Sequence, residues 1–132
     1  MKMLALAATI ATALSASAAM AGSGSYSGNW LVTVSHALRS DGTYCLTLTD
    51  DGSDQFRHSG EATSTNFTDE GTFQVINGLL VATIPAGTGT GELESFIFTG
   101  RATNGNISAG EYEEAYGDEV DSGVTKFTRN GC

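Results

Sequence analysis

From about position 29 onward the chain alternates between apolar and polar residues. Trp30, Val32, Val34 and His36 share one parity against Leu31, Thr33 and Ser35. Tyr44, Leu46 and Leu48 do the same against Cys45, Thr47 and Thr49, and Phe56, His58, Gly60 and Ala62 against Gln55, Arg57, Ser59 and Glu61. A period of two is that of a strand with one face buried, and no long stretch carries helical periodicity. The alternating runs are separated by turn signals. Asp41-Gly42, Asp51-Gly52, Asn77-Gly78 and Asn104-Gly105 are hairpin dipeptides, suited to type I′ turns because both central residues there take positive φ. Ser64 to Asp69, Pro85 to Gly91 and Tyr116 to Asp121 supply three further breaks. Together they predict eight strands, near 29–38, 43–49, 55–63, 71–76, 79–84, 93–101, 107–114 and 123–130.

Short connections join nearly every consecutive pair, so the expected topology is an antiparallel meander. Eight such strands close into an up-and-down barrel, which removes the exposed edges of an open sheet. The expected class is therefore all-β, an eight-stranded antiparallel up-and-down barrel, with a two-sheet β-sandwich as the alternative. Its interior would be either packed with side chains or open for one small ligand.

The first residues read differently. Lys2 precedes an apolar run from Leu4 to Leu14, and small residues end in Ala19-Met20-Ala21. This is the form of a bacterial-type signal peptide over residues 1–21, too short to span a bilayer. Gly22, not a cysteine, follows the cleavage point, which argues against a lipid anchor. Residues 22–132 then form one domain, exported to the periplasm or beyond. Cys45 and Cys132 both lie in it, and an even count in an oxidising compartment reads as one disulfide. Neither a redox C-x-x-C spacing nor a zinc ligand set accompanies them.

Removal of residues 1–21 takes Lys2 away, leaving five basic against fifteen acidic side chains and a net charge of −10. Such a surface disfavours nucleic acid and anionic membranes, and the remaining chain offers no segment for membrane insertion. It favours a basic partner or a divalent cation.

Gly28-Asn29-Trp30 at the first strand and Phe127-Thr128-Arg129 at the last resemble the ends of the calycins, the superfamily of lipocalins, fatty-acid-binding proteins and avidins. The resemblance implies that Trp30 closes the barrel floor and Arg129 covers it, an arrangement with cation–π attraction. The cysteine at position 132 is similar to the one by which lipocalins often tie a chain end to the barrel. Avidins ring biotin with several tryptophans, whereas this chain has one, so biotin binding is not carried over.

Candidate chemistry is sparse. His36 and His58 both fall on inward positions beside aromatic residues, as a pair able to bind a metal or to act as acid and base, or as two hydrogen-bonded core histidines. Glu111, Glu113, Glu114, Asp118, Glu119 and Asp121 crowd into one hairpin. Of these, Glu111, Glu113, Asp118 and Asp121 form a weak calcium candidate, although alternation sends Glu111 and Glu113 to one face and Glu114 to the other. Asp50-Asp51-Gly52-Ser53-Asp54 lacks EF-hand spacing and reads as a turn. Asn66-Phe67-Thr68 matches a glycosylation pattern, against which the bacterial-type signal argues.

With no catalytic constellation and no cofactor motif, the leading expectation is a non-enzymatic binding module. It would hold a small, mostly apolar molecule among Trp30, His36, Tyr44, Phe56, His58, Phe96 and Phe98. Inward Gly60 and Ala62 would either leave a cavity or make room for larger neighbours. A second reading is an inhibitor of a basic secreted hydrolase, a lysozyme or a metalloprotease, acting through the acidic loop from Glu111 to Asp121 and the run from Gly87 to Gly91. A structural envelope or surface component and, third, a barrel enzyme using the two histidines complete the set.

Overall fold

A computed structural model describes residues 26–52, 57–87 and 93–132. The signal peptide expected over 1–21 and the inward Phe56 lie outside the described residues. Nine strands occur among those described: β1 (Gly28–His36), β2 (Gly42–Asp50), β3 (Arg57–Ser64), β4 (Gly71–Ile76), β5 (Leu79–Gly87), β6 (Leu93–Thr103), β7 (Asn106–Ile107), β8 (Gly110–Tyr116) and β9 (Glu119–Arg129). All pairings are antiparallel. β1 to β6 follow one another, β6 continues to β8 and β9, and β9 returns to β1. The result is a closed eight-stranded up-and-down barrel. β7 is an addition, a two-residue strand that turns back onto the end of β6.

The pattern of alternation is realised in three dimensions. Trp30, Val32 and Val34 of β1, Leu46 and Leu48 of β2, and His58 and Ala62 of β3 all point into the barrel and are buried. Phe73, Leu80, Ile84, Phe98 and Tyr112 complete the interior at less than 2% exposure. Burying each large apolar side chain contributes roughly 1.5–3 kcal/mol. The described interior is thus held as a packed core.

Two of the four hairpin dipeptides form as expected. Asn77 and Gly78 have φ of 53° and 77°, and Asn104 and Gly105 have 51° and 80°, the two positive values that a type I′ turn needs. Asp41-Gly42 does not. Gly42 is the first residue of β2, and a loop over 37–41 makes the connection. β1 accordingly stops at His36 instead of 38. β5 runs past its expected end and includes Pro85, which pairs with Ser95 of β6. The β4 ladder has already ended at Thr72↔Thr83, so the missing N–H of Pro85 falls where a strand has one neighbour. The strand expected over 107–114 is divided into β7 and β8.

The small inward residues make room for neighbours. A Cβ on Gly60 would lie 1.8 Å from the carbonyl oxygen of Thr49 and 3.2 Å from the ring of Phe73, and one on Gly100 would meet Ile107 and Phe127. β2 and β3 can coil this tightly only where a side chain is absent.

Cys45 and Cys132 form a disulfide, with Cα atoms 5.8 Å apart and a separation of 87 positions in sequence. After Arg129 the chain reverses at Asn130, whose φ is 56° and whose N–H donates to Asn29 O at 2.7 Å. Gly131 then crosses the outer face of β1 against Leu31, where a Cβ would approach to 2.7 Å. The tail straps β9, β1 and β2 together, in keeping with an oxidising location.

Gly60→Ala is expected to destabilise the fold by at least about 1–3 kcal/mol through this clash, read as a lower urea midpoint. Reduction of the disulfide is expected to cost roughly 2–4 kcal/mol, measured as a fall in Tm in the presence of a thiol reductant.

Candidate functional site

Alternating strand directions sort the barrel into two ends. The start of β1, the end of β2 and the end of β9 meet at one of them, the floor. The β1–β2, β3–β4 and β8–β9 connections meet at the other, the mouth.

At the floor, Trp30 is fully buried and its Nε1 donates to Tyr26 O at 3.0 Å. The Arg129 guanidinium lies 4.2 Å from the indole centroid. It donates through Nη1 to Ser27 O at 2.9 Å and through Nη2 to Gly105 O. Arg129 thereby joins β9 to the segment before β1 and to the Asn104-Gly105 turn. Beside it, the Asp50 carboxylate has no exposed surface. It accepts from His58 Nδ1 at 2.7 Å, from the Tyr26 N–H at 3.3 Å and from the Gly52 N–H at 3.0 Å. Tyr26 packs edge-on against the His58 ring at 4.9 Å. These contacts plug the end of a barrel. His58 is a core histidine with a carboxylate partner.

The mouth is built differently. His36, Tyr44, Phe96, Phe98 and Tyr112 bring their rings together there. Centroids lie 5.0 Å apart for His36 and Tyr112, 5.2 Å for Tyr44 and Phe98, and 5.1 Å for Phe98 and Tyr112. Phe67 comes down from the β3–β4 loop to stack on Phe96 at 4.1 Å and on Tyr44 at 5.7 Å. Its loop is held by Asn66, whose Oδ1 accepts from the Cys45 N–H at 3.0 Å and from Ser64 Oγ at 3.1 Å. The inward rings therefore contact one another directly.

Above the rings stands a charged layer. Glu114 and Asp121 face each other across β8 and β9. Arg39, from the 37–41 loop, reaches over to donate to Glu114 and lies 3.3 Å from Asp121. His36 Nδ1 donates to Asp121 Oδ2 at 2.9 Å, and Tyr112 OH donates to Glu114 Oε1 at 2.7 Å. Burial, then hydrogen bonds to Tyr44 and Glu114, push the Tyr112 hydroxyl well above the ordinary tyrosine range. Burial and the neighbouring Glu114 charge also raise Glu94, against the pull of Arg39. A histidine–aspartate pair beside a tyrosine has the makings of acid–base chemistry. Here, however, the His36 side chain is 1% exposed, and Arg39 covers its partner carboxylate.

The residues expected to gather around one ligand are thus divided. His36, Tyr44, Phe96 and Phe98 meet at the mouth. Trp30 and His58 belong to the floor, so the two histidines do not form a pair. The four calcium candidates also separate: Glu111 and Glu113 point outward, Asp118 lies in the hairpin turn, and Asp121 is engaged by His36 and Arg39. Among the described residues, no three His, Cys, Asp or Glu side chains gather as metal ligands. Sequence reasoning did not find Tyr112, Phe67 or Arg39. Tyr112 shares the parity of Glu114 and was legible; Phe67 and Arg39 sit in loops, where no period applies.

Charge is also segregated. Asp41, Asp69 and Glu70 in two mouth loops join Glu94, Glu114, Asp118, Glu119 and Asp121 at that end, with Arg39 the one cation there among the described residues. Arg57, Arg101 and Arg129 lie toward the floor, together with the carboxylates of Asp50 and Asp51.

The chain matches no family model, no curated protein and no solved structure.

Because the folded state holds the Tyr112 proton more tightly than the unfolded chain, its contribution is intact below about pH 10 and is lost as pH rises further. Tyr112→Phe is therefore expected to lose less stability than the wild type between roughly pH 9 and 11. Urea midpoints at both pH values measure this.

Proposed function

We propose that this chain is an exported, calycin-like binding module, without catalytic activity, that takes a basic protein partner at the open end of its barrel. The observation that carries this reading is the imbalance of charge: eight carboxylates and the single Arg39 surround the mouth, while three arginines and the two carboxylates Asp50 and Asp51 lie at the floor among the described residues. A field of this shape steers a cationic surface toward one end of the barrel and accelerates its association. The interior supports the same choice. A small apolar ligand needs space among the inward rings, and those rings are in contact with one another. The reading keeps the inhibitor alternative, directed at a basic secreted hydrolase, and places its working surface on the loops.

Binding to a panel of cationic lysozymes and metalloproteases is expected to weaken steeply as salt is raised from about 20 to 200 mM, since the exposed charges are then screened. Asp118→Lys with Glu119→Lys is expected to reduce affinity at least tenfold, and Arg101→Glu at the far end to change it little. Binding indifferent to salt and to these reversals would overturn the reading. Native mass spectrometry of protein from its own host is expected to give the bare mass. A bound mass of a few hundred daltons would move the site into the barrel.

A further inference from the structure

Beside the acidic mouth, apolar side chains are exposed on the outer wall. Leu38 is 78% exposed in the 37–41 loop, and Val120 and Val124 on β9 are 56% and 59% exposed. The loop runs on along β9 past the end of the β1 ladder. Ser35 pairs with Val124 and His36 with Gly123, and the Ala37 N–H donates to Ser122 O at 2.8 Å. That continuation carries Leu38 to the level of Asp121 and Val120. With Glu114, Glu119 and Asp121, Leu38 and Val120 line a groove of about 400 Å³. Val124 lies further down the strand, beyond Ser122.

The composition of this groove limits what can fill it. Leu38 and Val120 gain by leaving water, at roughly 25 cal/mol for each Å² of apolar surface covered. Glu114 and Asp121 already meet Arg39, whereas Glu119 at the lip is exposed and resists burial unless a cation pairs with it. An uncharged apolar partner would strand Glu119, and a purely basic one would leave Leu38 and Val120 wet. Exposed Ile76 and Leu79 flank the Asn77-Gly78 turn at the floor end, where Arg101 pairs with Leu79; no ring of carboxylates frames them. The chain itself displays the complementary arrangement. In the consecutive pair Leu38-Arg39, an exposed apolar side chain lines the groove and a guanidinium lies over Glu114 and Asp121.

We propose that the Leu38–Val120 groove is the docking point of the basic partner, which presents a large apolar side chain flanked by lysine or arginine. This rests on the reading of the acidic end as the binding end. The partner's apolar side chain packs against Leu38 and Val120, and its flanking cations meet Glu119 and the neighbouring Asp118.

Two peptides of equal charge test it, acetyl-Gly-Lys-Leu-Lys-Gly-amide and acetyl-Gly-Lys-Gly-Lys-Gly-amide, titrated at low salt while the Leu38 and Val120 methyl resonances are followed. The leucine peptide is expected to bind about five- to tenfold more tightly, the gain from partial burial of one leucine, and to shift both methyls. In the Leu38→Ser, Val120→Thr double variant that advantage is expected to disappear; both sites are exposed, and circular dichroism checks the fold. Equal affinities in the wild type would overturn the groove while leaving the acidic-end reading standing. No binding of either peptide would bring down both. A wild-type dimer in ultracentrifugation that the double variant abolishes would make a second copy the occupant and overturn the choice of a basic partner.

Discussion

Pairing of the first strand with the last is the constraint on which this molecule depends. Trp30 is opposite Arg129, Val32 opposite Phe127 and Val34 opposite Thr125. Without these pairs the meander would be an open sheet with two long edges, each a template for association with another chain. With them, every barrel strand has a neighbour on both sides, and one column of side chains becomes an interior. The Arg129 guanidinium over the Trp30 ring seals the same junction, tying the chain before β1 to a turn between β6 and β7. The disulfide repeats the connection on the outer surface. Contacts so distant in sequence form only after a large loss of chain entropy, which explains why closure carries both a cation–π contact and a covalent strap.

Closure also gives the two ends different physical characters. At the floor, polar groups are buried and must be satisfied internally. The Asp50 carboxylate meets this need with a histidine and two backbone N–H groups. At the mouth, Asp121 likewise accepts from a histidine, but the guanidinium beside it comes from an exposed loop. Two histidine–aspartate pairs thus sit in one barrel with different settings. One is part of a plug, and the other is the inner layer of a charged surface.

That surface follows from topology. An antiparallel meander sends alternate connections to the same end, so acidic residues far apart in sequence accumulate there. Asp41, Asp69 and Asp118 belong to three separate loops, yet all contribute to one field. Phe67 closes the space beneath them, stacked on Phe96 and Tyr44. A barrel whose mouth rings touch one another and whose rim is charged is suited to recognition on the outside.

The class, the strand parity and the disulfide were legible in the residues alone. Period-two alternation sorts each strand's side chains into two faces without reference to any other strand, so Trp30, Val34, Leu46 and Ala62 were legible as core. Asn77-Gly78 and Asn104-Gly105 were legible as turns because their backbone requirement is local. The pairing of Trp30 with Arg129 was legible through resemblance. What the tertiary structure decided was height along the barrel axis. Parity says that His36 and His58 both point inward; it does not say that one lies at the mouth and the other at the floor. Height depends on register and closure, which are properties of all the strands together. For the same reason the sequence did not reveal that Arg39 would reach Glu114, 75 residues away, or that Phe67 would fill the space near Tyr44. Side chains in loops have no period, and their neighbours are set only once the sheet has closed.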